Sequence, residues 1–229
     1  MIKAIIFDMD DTLYPEYEYV LSGFKAVNDY LEQKNIFGFY KIAVQLFEKG
    51  ERGKIFNDSL DILGISYNKE DILSLLKVYR NHKPTIKLFL DARHILDELS
   101  CKFPLGLISD GYLEAQQKKV EALKIEKYFA KIILTDEIGK DAWKPSPIAY
   151  EKMSDYFNVK HSEMIYIGDN ASKDFITANK FGWTTVQIIR DSNEYKKIDV
   201  LPEYKAQFEV YSLTEVINII NLKNRKCLK

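Results

Sequence analysis

The stretch Lys3-Ala4-Ile5-Ile6-Phe7-Asp8-Met9-Asp10-Asp11-Thr12-Leu13 decides the fold. Its first half is a continuous apolar run, and the run stops abruptly in acidic and hydroxyl side chains. A short run bounded in this way predicts a strand buried on both faces, as in a parallel sheet covered by helices. Two further segments repeat the pattern. Pro104-Leu105-Gly106-Leu107-Ile108 ends in Ser109-Asp110-Gly111, and Met164-Ile165-Tyr166-Ile167-Gly168 ends in Asp169-Asn170. Ile132-Ile133-Leu134 and Thr184 to Ile189 are weaker strand candidates.

Helical periods fill the intervals. Ala92, Ile95, Leu96 and Leu99 share a face before the second strand; Leu113, Val120 and Leu123 share one after it. Ile148, Ala149, Tyr156 and Phe157 mark another helix, and Ser212 with Glu215 forms a capping-box pattern ahead of Val216, Ile217 and Ile220. Strands alternating with helices predict parallel βαβ units and an α/β layered fold, a parallel sheet flanked by helices.

Residues 15–85 behave differently. They hold no convincing buried strand but four amphipathic stretches: Val20-Leu21-Phe24-Val27-Leu31, Ile42-Ala43-Leu46-Phe47, Ile55-Phe56-Leu60-Leu63 and Ile72-Leu73-Leu76-Tyr79. A helical bundle inserted after the first strand is expected there, with residues 1–14 and 86–229 forming the core. The hinges are expected near Tyr14 to Glu16 and Lys83 to Ile86. The polar stretch from Arg190 to Lys205 reads as a surface loop, and Lys223 to Lys226 as a solvated tail.

Composition narrows the class. The 229 residues are 46% hydrophobic and 29% charged, enough for one large core or a core with an insertion. Lys plus Arg number 33 against 34 Asp plus Glu, so no overall basic field attracts a nucleic-acid polymer. No apolar run approaches the roughly 20 residues that span a bilayer, and Asp8 arrives before a signal-peptide core could form. Cys101 and Cys227 are far apart, which excludes a disulfide scaffold and suits a reducing compartment. A cytoplasmic monomer or homodimer with no membrane partner is expected. His82, His94 and His161 are scattered and read as surface or packing residues. No GxxxxGK[ST] loop and no GxSxG elbow occurs.

In open parallel sheets, ligands bind beyond the carboxyl ends of the strands. Here three strand ends deliver Asp8 with Asp10, then Ser109, then Asp169. Any one of them alone reads as a turn or cap residue; three at one sheet edge do not. Two carboxylates two positions apart in a crevice need raised pKa values or a cation, and a hard ion such as Mg²⁺ with oxygen ligands meets that need. Asp169 completes such a site. Asp174 reads equally as an additional ligand or support and as a helix N-terminal acid.

These residues carry a resemblance. Asp8-Met9-Asp10-Asp11-Thr12 resembles the first motif (DxDxT) of the haloacid dehalogenase-like hydrolase superfamily. Ser109 after a strand resembles the second and Lys144-Pro145 the third. Gly168-Asp169-Asn170-Ala171-Ser172-Lys173-Asp174 resembles the fourth, and the four span nearly the whole chain in order. The resemblance implies a Rossmann-like core with an inserted cap. It also implies a Mg²⁺-dependent phosphatase acting on a small phosphorylated metabolite such as a sugar phosphate, phosphoglycolate or nucleotide monophosphate. Asp8 is then the nucleophile that forms an aspartyl-phosphate, and Asp10 the acid and then the base. Ser109 and the backbone N–H of Asp110 hold phosphate oxygens, and Lys144 neutralises the phosphoryl charge. Mg²⁺ is ligated by the Asp8 carboxylate, the Asp10 carbonyl and Asp169, with Asp174 as ligand or support.

Two departures stand out. Asp110 occupies a position where the family often has Asn, which adds charge near the phosphate unless its side chain turns away. The stretch Gly139 to Trp143 is slightly long. Dehalogenases of the superfamily lack the second aspartate, so Asp10 disfavours that activity. A phosphomutase uses the same motifs and is the alternative; a non-catalytic phospho-ligand-binding or phospho-accepting module is the reading from another class. Arg52 and Lys54, flanking Gly53, are candidate cap contacts to substrate. Within the acidic site, Lys144 is expected to be the sole counter-charge.

Overall fold

All four residues of β1 (Ala4–Phe7) are buried, which the two-sided apolar run requires. In this computed structural model, residues 1–190 and 199–226 are described. The sheet continues with β2 (Leu105–Ser109), β3 (Lys131–Leu134), β4 (Met164–Gly168), β5 (Thr184–Ile188) and β6 (Phe208–Val210). All pairings are parallel, in the order β3-β2-β1-β4-β5-β6. The chain builds outward from β1 to β3, then restarts beside β1 with β4. The carboxyl ends of β1 and β4 therefore flank the reversal of strand order, where side loops diverge and leave a crevice. Register carries Phe7 alongside both Leu107 and Ile167.

The helices among the described residues fall into two groups. α1 (Glu16–Glu32), α2 (Phe39–Glu48), α3 (Ile55–Ile62) and α4 (Lys69–Asn81) lie between β1 and β2 in sequence. They are followed by α5 (Leu90–Ser100), α6 (Leu113–Leu123), α7 (Ile148–Phe157), α8 (Phe175–Phe181) and α9 (Val216–Lys226). The chain divides into two compact units: Met1–Pro15 with Lys87–Lys229, and Glu16–Ile86. These boundaries fall one residue later than those expected from the sequence.

In the sheet unit, Trp183, Tyr150, Tyr166, Phe175 and Met153 form a fully buried cluster on one face. The other unit has its own core, with Phe24, Val27, Phe39, Phe56, Leu60 and Leu75 at its centre. Its rings meet edge to face, as Phe24 with Phe56 and Phe39 with Phe56. Such pairs favour contact of ring edges with ring faces.

Several local expectations need correction. In α4 the buried residue is Leu75, while Leu73 is 53% exposed; the stripe runs through Ile72, Leu75, Leu76 and Tyr79, the true helical spacing. In α7 the buried face is Ala149, Tyr150, Met153 and Ser154, and Tyr156 turns outward to donate its hydroxyl to Ala130 O at 2.8 Å. Arg190 is not a surface loop residue: its guanidinium bonds Asp91 Oδ2 at 2.8 Å and Thr12 O at 3.0 Å. Residues 191–198 of that stretch lie outside the described residues. Beyond them come a 3-10 turn, Pro202–Tyr204, and the edge strand β6, which has too little apolar pattern to announce itself. Lys223 to Lys226 belong to α9 rather than to a tail; Cys227 lies outside the described residues. Among the described residues, no helix is long and apolar enough to cross a membrane.

Candidate active site

Asp8 is the first residue past β1. Its N–H still bonds Ile167 O at 2.8 Å, so the sheet fixes its backbone while its side chain leaves the edge. The chain then turns back at once: Leu13 N–H reaches Met9 O at 2.9 Å, with Asp11 in the left-handed region at φ 51°. Small polar residues tolerate that conformation through local hydrogen bonding.

A buried ammonium faces Asp8. Lys144 Nζ donates to Asp8 Oδ1 at 2.5 Å, to Asp174 Oδ1 at 2.7 Å and to Tyr166 Oη at 3.1 Å. Three protons meet three acceptors, the condition under which a charge survives burial. Burial alone would strip the Lys144 proton, but Asp174 and Asp8 hold it well above the ordinary lysine range. Burial pushes the Asp8 carboxyl up to about 7 against the pull of Lys144, with Asp174 adding repulsion.

Asp174 precedes α8 and is fully buried. It does not cap its own helix; its Oδ2 accepts Asn170 N–H at 2.9 Å, and its carbonyl accepts the Tyr150 hydroxyl at 2.8 Å. Gly168 makes this possible, because a Cβ there would stand 2.5 Å from Asp174 Oδ2. Ligand oxygens of Asp8, Asp169 and Asp174 all lie within 4.8 Å of one another, and all three residues are buried. Burial, then Asp174, Asp8 and Asp11, push the Asp169 carboxyl well above the usual range. Three crowded, buried, hard oxygen donors are the set that suits a small divalent cation.

Asp10 meets a different environment. Its Oδ1 accepts Lys119 Nζ at 2.7 Å and the Tyr14 hydroxyl, and its Oδ2 accepts Gln116 Nε2 at 3.3 Å. Burial would raise the Asp10 carboxyl, but Lys119 and the Tyr14 hydroxyl bring it below the usual range. Ser109 is buried at the end of β2, donating its hydroxyl to Gln116 Oε1 at 3.2 Å. Asp110 turns aside: its carboxylate accepts the Thr135 hydroxyl at 2.8 Å and the Lys144 N–H at 3.1 Å, with Lys173 Nζ 3.6 Å away.

The site thus holds two lysines beyond the one expected. Lys119 pairs with Asp10, and Lys173 sits beside Asp110, so Lys144 is not the sole counter-charge. One signal for Lys119 was present in the sequence. Gln116 and Lys119 lie on the same buried stripe of α6 as Val120 and Leu123, and a polar pair in an apolar stripe needs partners. Lys173 gave no such signal. Arg52 and Lys54 lie in the other unit. The Arg52 guanidinium donates to Phe47 O at 2.8 Å and Glu51 O at 2.6 Å and stacks 3.8 Å from the Phe47 ring. Lys54 is exposed at the start of α3.

A family model described as haloacid dehalogenase-like hydrolase matches residues 5–188. The chain is 30% identical to glyceraldehyde 3-phosphate phosphatase of Methanocaldococcus jannaschii, over 97% of this chain and 99% of that protein. It is 28% identical to (S)-2-haloacid dehalogenase 2 of a Pseudomonas species, over 69% of this chain and 65% of that one. Among solved structures, a magnesium-bound protein of Bacillus subtilis described as a HAD-hydrolase superposes with TM-score 0.72 at 20% identity, covering 96% of this chain and 99% of that one.

Proposed function

This chain belongs to the haloacid dehalogenase-like hydrolase family, and from that premise we propose that it hydrolyses the phosphate esters of small sugars, triose phosphates first among them. It is a phosphatase by kinship with relatives named for glyceraldehyde 3-phosphate. The observation that carries the mechanism is a pair of neighbouring aspartates at the end of β1, each held by its own lysine: Asp8 lies against buried Lys144, and Asp10 against Lys119.

Asp8 attacks phosphorus in line with the departing ester oxygen and forms an aspartyl-phosphate, splitting one slow displacement into two. Lys144 stays charged, orients Asp8 and neutralises the incoming phosphoryl oxygens. The Ser109 hydroxyl exchanges Gln116 for a phosphoryl oxygen, joined by the Asp110 N–H. Asp10 protonates the leaving oxygen, then takes a proton from the water that cleaves the acyl-phosphate. Asp8, Asp169 and the Asp10 carbonyl would hold Mg²⁺, with Asp174 beside them, and its charge would further stabilise the phosphoryl oxygens. A dehalogenase has no leaving oxygen to protonate, so the presence of Asp10 two residues after Asp8 favours ester hydrolysis. We place the enzyme in a reducing cytoplasm, on the free exposed Cys101.

The test is phosphate release from glyceraldehyde 3-phosphate with Mg²⁺ and with EDTA. We expect turnover that EDTA abolishes and that Asp8→Asn lowers by more than about a thousandfold. Undiminished turnover in Asp8→Asn, or no release from any phosphate ester by the wild type, would sink the assignment.

A further inference from the structure

Two polar side chains of α6, Gln116 and Lys119, face Asp10, and neither lies in the four motifs quoted above. Lys119 is 3% exposed, with Nζ 2.7 Å from Asp10 Oδ1, and the Tyr14 hydroxyl donates to that same oxygen. Gln116 bridges two groups: Nε2 donates to Asp10 Oδ2 at 3.3 Å, and Oε1 accepts from Ser109 Oγ at 3.2 Å. The amide has one sensible orientation, since turning it over would set its oxygen against a carboxylate. Gly111 gives it room, because a Cβ there would lie 2.2 Å from Gln116 Nε2. Each carboxylate oxygen offers two lone pairs. Among the described residues, both on Oδ1 meet donors and one on Oδ2 is left.

Resting on the phosphatase reading, we propose that Lys119 and Gln116 are positioning residues that hold the Asp10 carboxyl so that Oδ2 carries the transferred proton. Oδ2 gives that proton to the ester oxygen as the bond from Asp8 to phosphorus forms and the ester P–O bond breaks. It takes a proton from water as the water oxygen bonds phosphorus and the Asp8–phosphorus bond breaks. Over the cycle ester plus water gives alcohol plus phosphate. An unrestrained carboxyl would sample several rotamers, and a displacement of about 1 Å costs on the order of a hundredfold in rate.

Leaving-group dependence separates positioning of the acid from general support of the site. Nitrophenolate departs without a proton, whereas the alkoxide of glyceraldehyde 3-phosphate needs one. Because kcat/KM reports events up to the first phosphoryl transfer, the second step does not enter. We expect Lys119→Met to lower kcat/KM about a hundredfold for glyceraldehyde 3-phosphate and less than about threefold for p-nitrophenyl phosphate. Lys119→Arg should restore much of the loss. Gln116→Met removes no charge and should give the same inequality with a smaller drop; it decides the matter if Lys119→Met does not fold. Equal losses on the two esters in either folded variant would overturn the proposal. Failure of the wild type to release phosphate from both esters overturns the phosphatase reading itself, and the proposal with it, before any variant is made.

Discussion

A carboxylate buried against a lysine and two other carboxylates is poised between ionised and protonated forms. Asp8 rises from 3.8 to about 7, and Asp169 rises as well, both chiefly through burial. Between about pH 4 and 7 the native protein therefore binds more protons than the unfolded chain, so stability must fall as pH rises through that window. Asp10 runs the other way: its lowered pKa contributes stability above 3.8 that is lost as pH drops below it. In EDTA, urea unfolding at pH 5 should give a larger free energy than at pH 7.5, and Asp8→Asn should flatten the difference; a rising profile would contradict the burial argument. Gly168→Ala makes a steric case at the same scale. Its Cβ would displace the Asp174 carboxylate from 2.5 Å, so we expect a loss of about 1–3 kcal/mol with a fall in kcat. An unchanged melting midpoint and turnover would show that Asp174 yields without cost. Asp8, Asp10, Ser109, Lys144 and Asp169 were legible as individual residues. Lys173 was not, because a lysine in a polar loop looks the same whether it faces water or a carboxylate.

Elements follow from period and punctuation where those are strong. β1, β2 and β4 are buried along their whole length and read clearly from uninterrupted apolar runs. α4 shows how a period can be misassigned by one position: Ile-Leu-Ser-Leu-Leu offers several apolar residues, and only helical geometry selects Leu75 over Leu73 for burial. Leu75→Ala should cost about 2–5 kcal/mol, while Leu73→Ala should stay within about 0.5 kcal/mol, both measured by urea unfolding. Equal effects would mean that the stripe is misplaced. β6, three residues long with an exposed Glu209 at its centre, escaped the reading because an edge strand buries too little to need a pattern.

At the scale of the molecule, two units with separate cores share one chain, and the acidic site lies wholly in the sheet unit. A cation bound there should stabilise that unit alone, by about 2.7 kcal/mol at a hundred times its Kd. Calorimetry with Mg²⁺ against EDTA should shift one transition and leave the helical unit's in place; no shift at saturating Mg²⁺ would count against the metal site. The amino-acid sequence by itself determined the strands other than β6, the helical insertion and the acidic residues at the strand ends. Each of these is written in neighbouring residues, through two-sided burial, the 3.6-residue period and abrupt polarity. Only the tertiary structure decided which lysine serves which carboxylate and that Asp110 turns toward Thr135. Lys144 and Asp8 are 136 residues apart, Lys119 and Asp10 109. Electrostatic pairing depends on distance through space, and a linear pattern carries no record of it until the sheet order brings the ends together.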